Sequence, residues 1–301
     1  MHKVTGHGAG RGVGFLLIAI LGWGLTWPIN KLLLESLSPA WLAAMRAALG
    51  ALALVALALP GRRLAVPPRA DWPVVLSISL LHMVAFSLLA WIGLQTVSVG
   101  RSVVLAFTTP LWVMPAAALL LGERLTARRL GGFIAGLVGL GLIFNPAALD
   151  WGDRASLTGH AFLLLAALCW AASIVHIRAH TWHSTPFQLV PWEALIATVV
   201  LGAVAFASGP WPSVAWDARL LLLLLGTSIL GVALPYWATA MAGRCLPALG
   251  VSLGLLATPI VGIVVANVAL GETTDAMVWV ALALVLGGAA LGIVPAERPR
   301  G

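Results

Sequence analysis

Ten stretches of roughly 20 predominantly apolar residues follow one another along the chain, separated only by short polar connections. A hydrocarbon core about 30 Å thick takes about 20 residues of helix to cross. Inside it each peptide group must find its partner within the chain, and a helix does this locally. The stretches fall at about 13–34, 39–60, 72–96, 101–121, 128–146, 157–179, 187–207, 218–242, 248–270 and 276–294. With 61% hydrophobic and 9% charged residues, the 301-residue chain has too little polar surface to clothe a water-soluble globule. The expected fold is an all-α membrane protein of ten transmembrane helices. The first stretch reads as a retained helix rather than a leader: Asn30 and Lys31 follow it with no small-residue cleavage pattern.

The basic residues orient this bundle. Placing the N-terminus inside puts Lys3, Arg11, Arg62, Arg63, Arg69, Arg124, Arg128, Arg129, Arg178, Arg244, Arg298 and Arg300 on the cytoplasmic side. Only Lys31, Arg101, Arg154 and Arg219 fall outside, and Arg46 stays within the second stretch. Both termini are therefore expected in the cytoplasm. The net charge of +7 is read as orientation in a lipid bilayer, not as nucleic-acid binding. Cys169 and Cys245 have no spacing partner, so neither a disulfide framework nor a Cys-type metal pair is indicated.

The two halves repeat. At an offset of 147, Phe15 pairs with Phe162, Trp23 with Trp170, Thr26 with Ser173, Lys31 with Arg178 and Pro39 with Pro186. At 149, Thr109-Pro110 pairs with Thr258-Pro259, Gly122-Glu123 with Gly271-Glu272, and Gly139 with Gly288. Trp and Pro matches do not arise from Leu/Ala background. The chain divides into a five-helix unit over 1–150 and a second over 151–301. Five is odd, so the second unit enters the membrane from the opposite face and the repeats are inverted. Inverted repeats around a midplane site are the architecture of alternating-access carriers.

Ten spans as 5+5, Trp23-Gly-x-x-Trp27 followed by Lys31, and Thr-Pro with Leu-Gly-Glu at 109–123 and again at 258–272 resemble the drug/metabolite transporter superfamily of EamA type, most closely its bacterial amino-acid exporters, including aromatic ones. The resemblance implies an inner-membrane exporter of amino acids, with a central cavity lined mainly by helices 1, 3, 4, 6, 8 and 9.

Polar and aromatic groups at bilayer depth are the first candidates for a site. On helix 1, Trp23, Thr26, Trp27 and Asn30 share a face; on helix 6, Trp170, Ser173 and His176 share the related one. Two Trp-bearing faces meeting at the pseudo-symmetry axis would form a pocket suited to an apolar or aromatic side chain. His82 and Phe86 share a face of helix 3. Thr109, Tyr236, Ser252 and Thr258 complete the expected substrate contacts. Pro110 and Pro259 lie inside helices 4 and 9, where lost backbone hydrogen bonds predict kinks that rock or free a carbonyl. Arg46 and Glu193 occupy equivalent positions and are assigned to structure or gating, as a pair or as separate side chains reaching an interface. Glu123 and Glu272 are expected to anchor loops. If a proton is coupled, His82 and Glu193 are the carriers available within the spans.

Other chemistry is weakly represented. His176, His180 and His183 could ligate a metal, but no carboxylate or Cys accompanies them in sequence, so none is expected. Gly132-x-x-x-Gly136 and Gly250-x-x-x-Gly254 are helix-packing patterns, with no Walker sequence or dinucleotide loop. No cofactor is expected, and no catalytic residues. The functional expectation is a secondary transporter exporting aromatic and other apolar amino acids, or similar small metabolites, by alternating access. Export of cationic or lipophilic drugs is the alternative, weakened because helix 1 lacks the embedded carboxylate of the small multidrug members. An intramembrane enzyme or a receptor are alternatives of other classes.

Overall fold

The structure, a computed structural model, describes residues 6–58, 66–144 and 151–293; among these there is no strand. Ten membrane helices follow in order: α1 (Gly6–Leu33), α2 (Pro39–Ala58), α3 (Arg69–Thr96), α4 (Val99–Leu121), α5 (Ala127–Ile143), α6 (Arg154–Ala179), α7 (Pro186–Ser208), α8 (Ala218–Cys245), α9 (Ala248–Leu255 with Thr258–Leu270) and α10 (Ala276–Ile293). Eight are long and apolar enough to cross a bilayer; α10 adds a shorter apolar run at Ala276–Gly292, and α5, which begins beside Arg128 and Arg129, completes the set. Several helices overrun their apolar stretches: α1 starts at Gly6 and α3 at Arg69, because backbone bonding continues into the polar boundary.

The packing obeys the exchange of halves. α1 packs on α8 and α9, as α6 packs on α3 and α4; α2 faces α7, and α5 faces α10. Each pairing maps onto another, or onto itself, when helices one to five are swapped for six to ten. The chain is thus two inverted five-helix repeats. The α5–α10 contact depends on absent side chains: a Cβ on Gly132 would stand 2.6 Å from the Gly288 carbonyl oxygen, and one on Gly139 would stand 2.8 Å from that of Ala281.

Backbone irregularities repeat as well. α3 and α8 each widen into a π-helical stretch, at Ile78–Phe86 and Ile229–Ala233. α4 and α9 are each broken in the middle, into Val99–Ala106 and Thr109–Leu121 and into Ala248–Leu255 and Thr258–Leu270. This corrects the expected proline kink. Pro110 and Pro259 sit in the first turn of a restarted helix, where a missing N–H costs nothing because it would have no helical partner. The Ala106 carbonyl at the break is not free either, since the Thr109 hydroxyl donates to it at 2.8 Å. Both second segments end at a left-handed glycine, Gly122 (φ 68°) and Gly271 (φ 67°).

Candidate substrate cavity

At the centre lies a cavity of about 300 Å³. The face of α1 supplies Trp23, Thr26 and Trp27, and α3 supplies His82, Met83, Phe86, Ser87 and Trp91. Phe107, Thr109 and Pro110 border the break in α4, as Leu255, Leu256 and Thr258 border that in α9, with Ser252 one turn earlier. Trp170 comes from α6, and Gly231 and Tyr236 from α8. The lining is wider than the resemblance implied: Arg46 enters from α2, and Ala194 and Leu201 from α7.

The aromatic groups are mutually braced. His82 stacks on Trp170, with centroids 5.0 Å apart and planes 5° from parallel. Phe86 and Phe107 meet the same indole at 5.1 and 6.0 Å. Across the cavity Trp23 meets Tyr236 edge-on at 5.6 Å, and Trp27 meets Trp91 at 5.5 Å. Such edge-to-face contacts fix ring orientations and leave the remaining faces to a ligand.

Two expected residues stand elsewhere. Ser173 is fully buried and, unlike its repeat mate Thr26, off the cavity, while Ile174, one residue on, reaches the lining. Pro259 is buried beside Thr258 and is likewise absent from the lining. Asn30 is buried, its side-chain carbonyl accepting the Thr227 hydroxyl at 2.7 Å. Glu193 is 3% exposed and does not line the cavity, although its neighbour Ala194 does.

Arg46 changes most between sequence and structure. Among the described residues it forms no ion pair, with Glu193 or any other carboxylate. Its Nε donates to the Thr227 carbonyl at 3.3 Å, a second guanidinium nitrogen donates to that of Gly231 at 3.1 Å, and its centre lies 5.3 Å from the Trp91 ring. Two features of α8 make this possible: Pro235, four residues beyond Gly231, has no N–H to bond the Gly231 carbonyl, and the π stretch Ile229–Ala233 interrupts the regular ladder. Trp23 Nε1 takes the Gly231 oxygen too, at 3.1 Å. Gly231 is required at this crossing: a Cβ would be driven into the Arg46 guanidinium. Pro235, four residues on, was the sequence signal for an unbonded Gly231 carbonyl, and a charged residue in mid-stretch was the signal for Arg46, but neither said that the two meet.

The ends are tied by polar contacts. At the Lys31 end, Lys31 Nζ donates to the Leu94, Gln95 and Val97 carbonyls, and Glu272 accepts from the Val99 and Gly100 amides. At the Arg178 end, Glu123 pairs with Arg129 at 3.0 Å and Arg178 at 3.2 Å. The histidine cluster also differs from its sequence reading. Asp71, fully buried, lies with its Oδ1 2.9 Å from His180 Nε2 and 3.3 Å from His183 Nδ1, so the fold supplies the carboxylate that the local sequence lacks. His176 meets the His180 ring edge-on, with centroids 6.5 Å apart, but is not among the groups that converge on Asp71. The group fastens the start of α3 to the α6–α7 connection.

A multi-pass membrane protein built as inverted repeats around a central aromatic cavity defines the class. The chain belongs to the EamA-like transporter family, whose model matches residues 10–145 and 157–294. It is similar to the uncharacterized transporter YvbV of Bacillus subtilis, 28% identical over 73% of this chain and 70% of the relative. It is also similar to the threonine/homoserine exporter RhtA of Salmonella typhimurium, 32% identical over 81% and 78%. A solved crystal structure shares the fold with a TM-score of 0.65 at 21% identity, covering 93% of this chain and 96% of the other.

Proposed function

We propose that the protein is a secondary exporter of amino acids with apolar or aromatic side chains, working by alternating access in a bacterial inner membrane with both termini in the cytoplasm. In this reading the unit boundary falls near residue 150. The carrying observation is the Arg46 guanidinium, the one Lys, Arg, Asp or Glu side chain among the residues that line a largely aromatic and aliphatic cavity. A charge at the centre of a bilayer costs about 3 kcal/mol or more, and a planar cation already held by two carbonyls keeps donors for a carboxylate. The α-carboxylate of the ligand docks against Arg46. Its side chain lies among Trp23, Phe86 and Trp170, and Ser252, Thr109 and Thr258 stand near its amine. RhtA, which exports threonine and homoserine, supports the substrate class; the aromatic preference rests on the lining. A fixed cation in the cavity disfavours quaternary ammonium drugs by repulsion.

The test is uptake of labelled Phe, Trp, Met and Thr into proteoliposomes, with a quaternary ammonium drug as comparator. Saturable uptake of amino acids, displaced by excess Phe and weakened by Trp170→Ala, is the expected result. Uptake of the drug with none of the four amino acids would overturn the substrate assignment and leave the transporter family untouched.

A further inference from the structure

Two repeats of one design, placed in one molecule, should be buried alike unless the molecule has chosen between two states. They are not buried alike. In the first segment of α4, Val99, Gly100, Val103, Val104, Leu105 and Ala106 are all buried. In the equivalent segment of α9, Val251 is buried whereas Gly250 and Ser252 are exposed and Leu253, Gly254 and Leu255 are half-buried. The repeat mates Val103 and Ser252 show the contrast directly: Val103 is 0% exposed, and Ser252 is exposed while also lining the cavity. The same asymmetry appears in packing. The first segment of α4 lies against the second segment of α9, but the symmetry-related contact, the first segment of α9 on the second segment of α4, has no comparable packing. Among the described residues, the first half of α4, at the Lys31 end, is closed in by its neighbours, and the first half of α9, at the Arg178 end, is not.

The charged contacts follow the same division. At the Lys31 end Glu272 accepts from the first amides of α4, Val99 at 3.0 Å and Gly100 at 3.4 Å, and Lys31 donates to three carbonyls at the end of α3 at 2.6, 3.3 and 3.0 Å. A carboxylate at a helix N-terminus and an ammonium at a C-terminus both satisfy unpaired backbone groups and oppose the helix dipole. The pair thus pins the α3–α4 corner shut. Their mates at the other end are Glu123 and Arg178, and these are bound to each other, with Arg129 also on Glu123. The equivalent corner is the α8–α9 junction, where Leu246 and Pro247 separate the two helices as Val97 and Ser98 do in the first repeat.

We infer that Glu272 with Lys31 and Glu123 with Arg178 are alternate gate clamps, one pair engaged on its helix corner at a time. In the opposite state Glu272 and Lys31 release the α3–α4 corner. Glu123 leaves Arg129 to accept from the Ala248 and Leu249 amides, and Arg178 takes the Gly243, Arg244 and Leu246 carbonyls. The Glu123 ion pairs are partly exposed, and pairs of this kind are weak enough to exchange for these backbone contacts. The inference requires a transporter with two states and is independent of which compound is carried.

Site-directed labelling tests it without transport. With Cys169 and Cys245 replaced by Ser, single cysteines at Ser252 and Val103 are challenged with a membrane-impermeant maleimide from each side of the membrane in turn. Ser252→Cys reacts from the Arg178 side, and Val103→Cys is protected. Adding Glu272→Gln raises labelling of Val103→Cys from the Lys31 side several-fold and lowers that of Ser252→Cys; Lys31→Met shifts both probes in the same direction. Adding Arg178→Met to Glu272→Gln brings the ratio back, because it removes the clamp of the opposite state. Unchanged labelling in both Glu272→Gln and Lys31→Met, or a further rise of Val103→Cys labelling with Arg178→Met, overturns the assignment. Using two independent release variants keeps the outcome readable if one of them fails to fold.

Discussion

Arg46 illustrates what a single residue contributes that its sequence position does not disclose. Its placement in an apolar stretch marks it as costly, but pairing with Glu193, reaching to an interface and facing a cavity are equally compatible with that placement. The π turn of α8, with Pro235 beyond it, decides among them by presenting the Thr227 and Gly231 carbonyls. Two expected outcomes follow. Arg46→Gln should raise the apparent KM for amino acids by about 10-fold or more, the scale of losing one charge-assisted hydrogen bond, while an amino-acid amide lacking the carboxylate is affected much less. Gly231→Ala should reproduce part of that defect without removing the charge, because its methyl displaces the guanidinium; the check is KM against kcat in the same proteoliposome assay. The Trp23 and Trp170 faces, by contrast, were legible from helical spacing and repeat equivalence. Ser173 was misplaced because the same spacing that brings Thr26 to the cavity on α1 leaves Ser173 buried off it on α6, a difference set by how each helix is rotated against its neighbours.

At the scale of elements, the positions of the ten helices could be read from hydropathy, but their interruptions could not. The π stretch in α3 contains neither proline nor glycine, that in α8 contains Gly231 and precedes Pro235, and the breaks in α4 and α9 precede their prolines rather than being kinks centred on them. The glycines at both ends of this design make separate demands. Gly271→Ala places a Cβ at φ 67°, a cost of about 1–2 kcal/mol, and should lower the thermal unfolding midpoint in detergent by a few degrees. Gly288→Leu should be more severe, since even a Cβ there meets the Gly132 backbone across α5–α10; overpacking costs about 1–3 kcal/mol, and the measurement is the same melting curve alongside retention of monodisperse protein. A melting point unchanged by Gly288→Leu would contradict the close α5–α10 crossing.

At the scale of the whole molecule, the Asp71 contact with His180 spans 109 residues of sequence, and the Glu272 contact with Val99 spans 173. Nothing in local sequence joins such partners. The repeat does predict that equivalents exist, and the structure shows where equivalence fails: the first half of α4 is closed in by its neighbours, and the described residues of the first half of α9 are more exposed. An exporter of this kind should exchange substrate across proteoliposomes with no imposed ion gradient. Counterflow of labelled Phe driven only by unlabelled Phe inside is therefore expected, and its absence, alongside net uptake under a proton gradient, would show that the substrate-loaded carrier does not cross without a coupled proton. What the sequence determined by itself is the medium, the helix count and the twofold reuse of one design, because hydropathy, length and repeated residues are properties of the chain read in order. The tertiary structure alone decided which polar groups face the cavity, which carbonyls Arg46 meets and which half-helix is closed in by its neighbours, because these depend on distances and rotations between helices that no local pattern encodes.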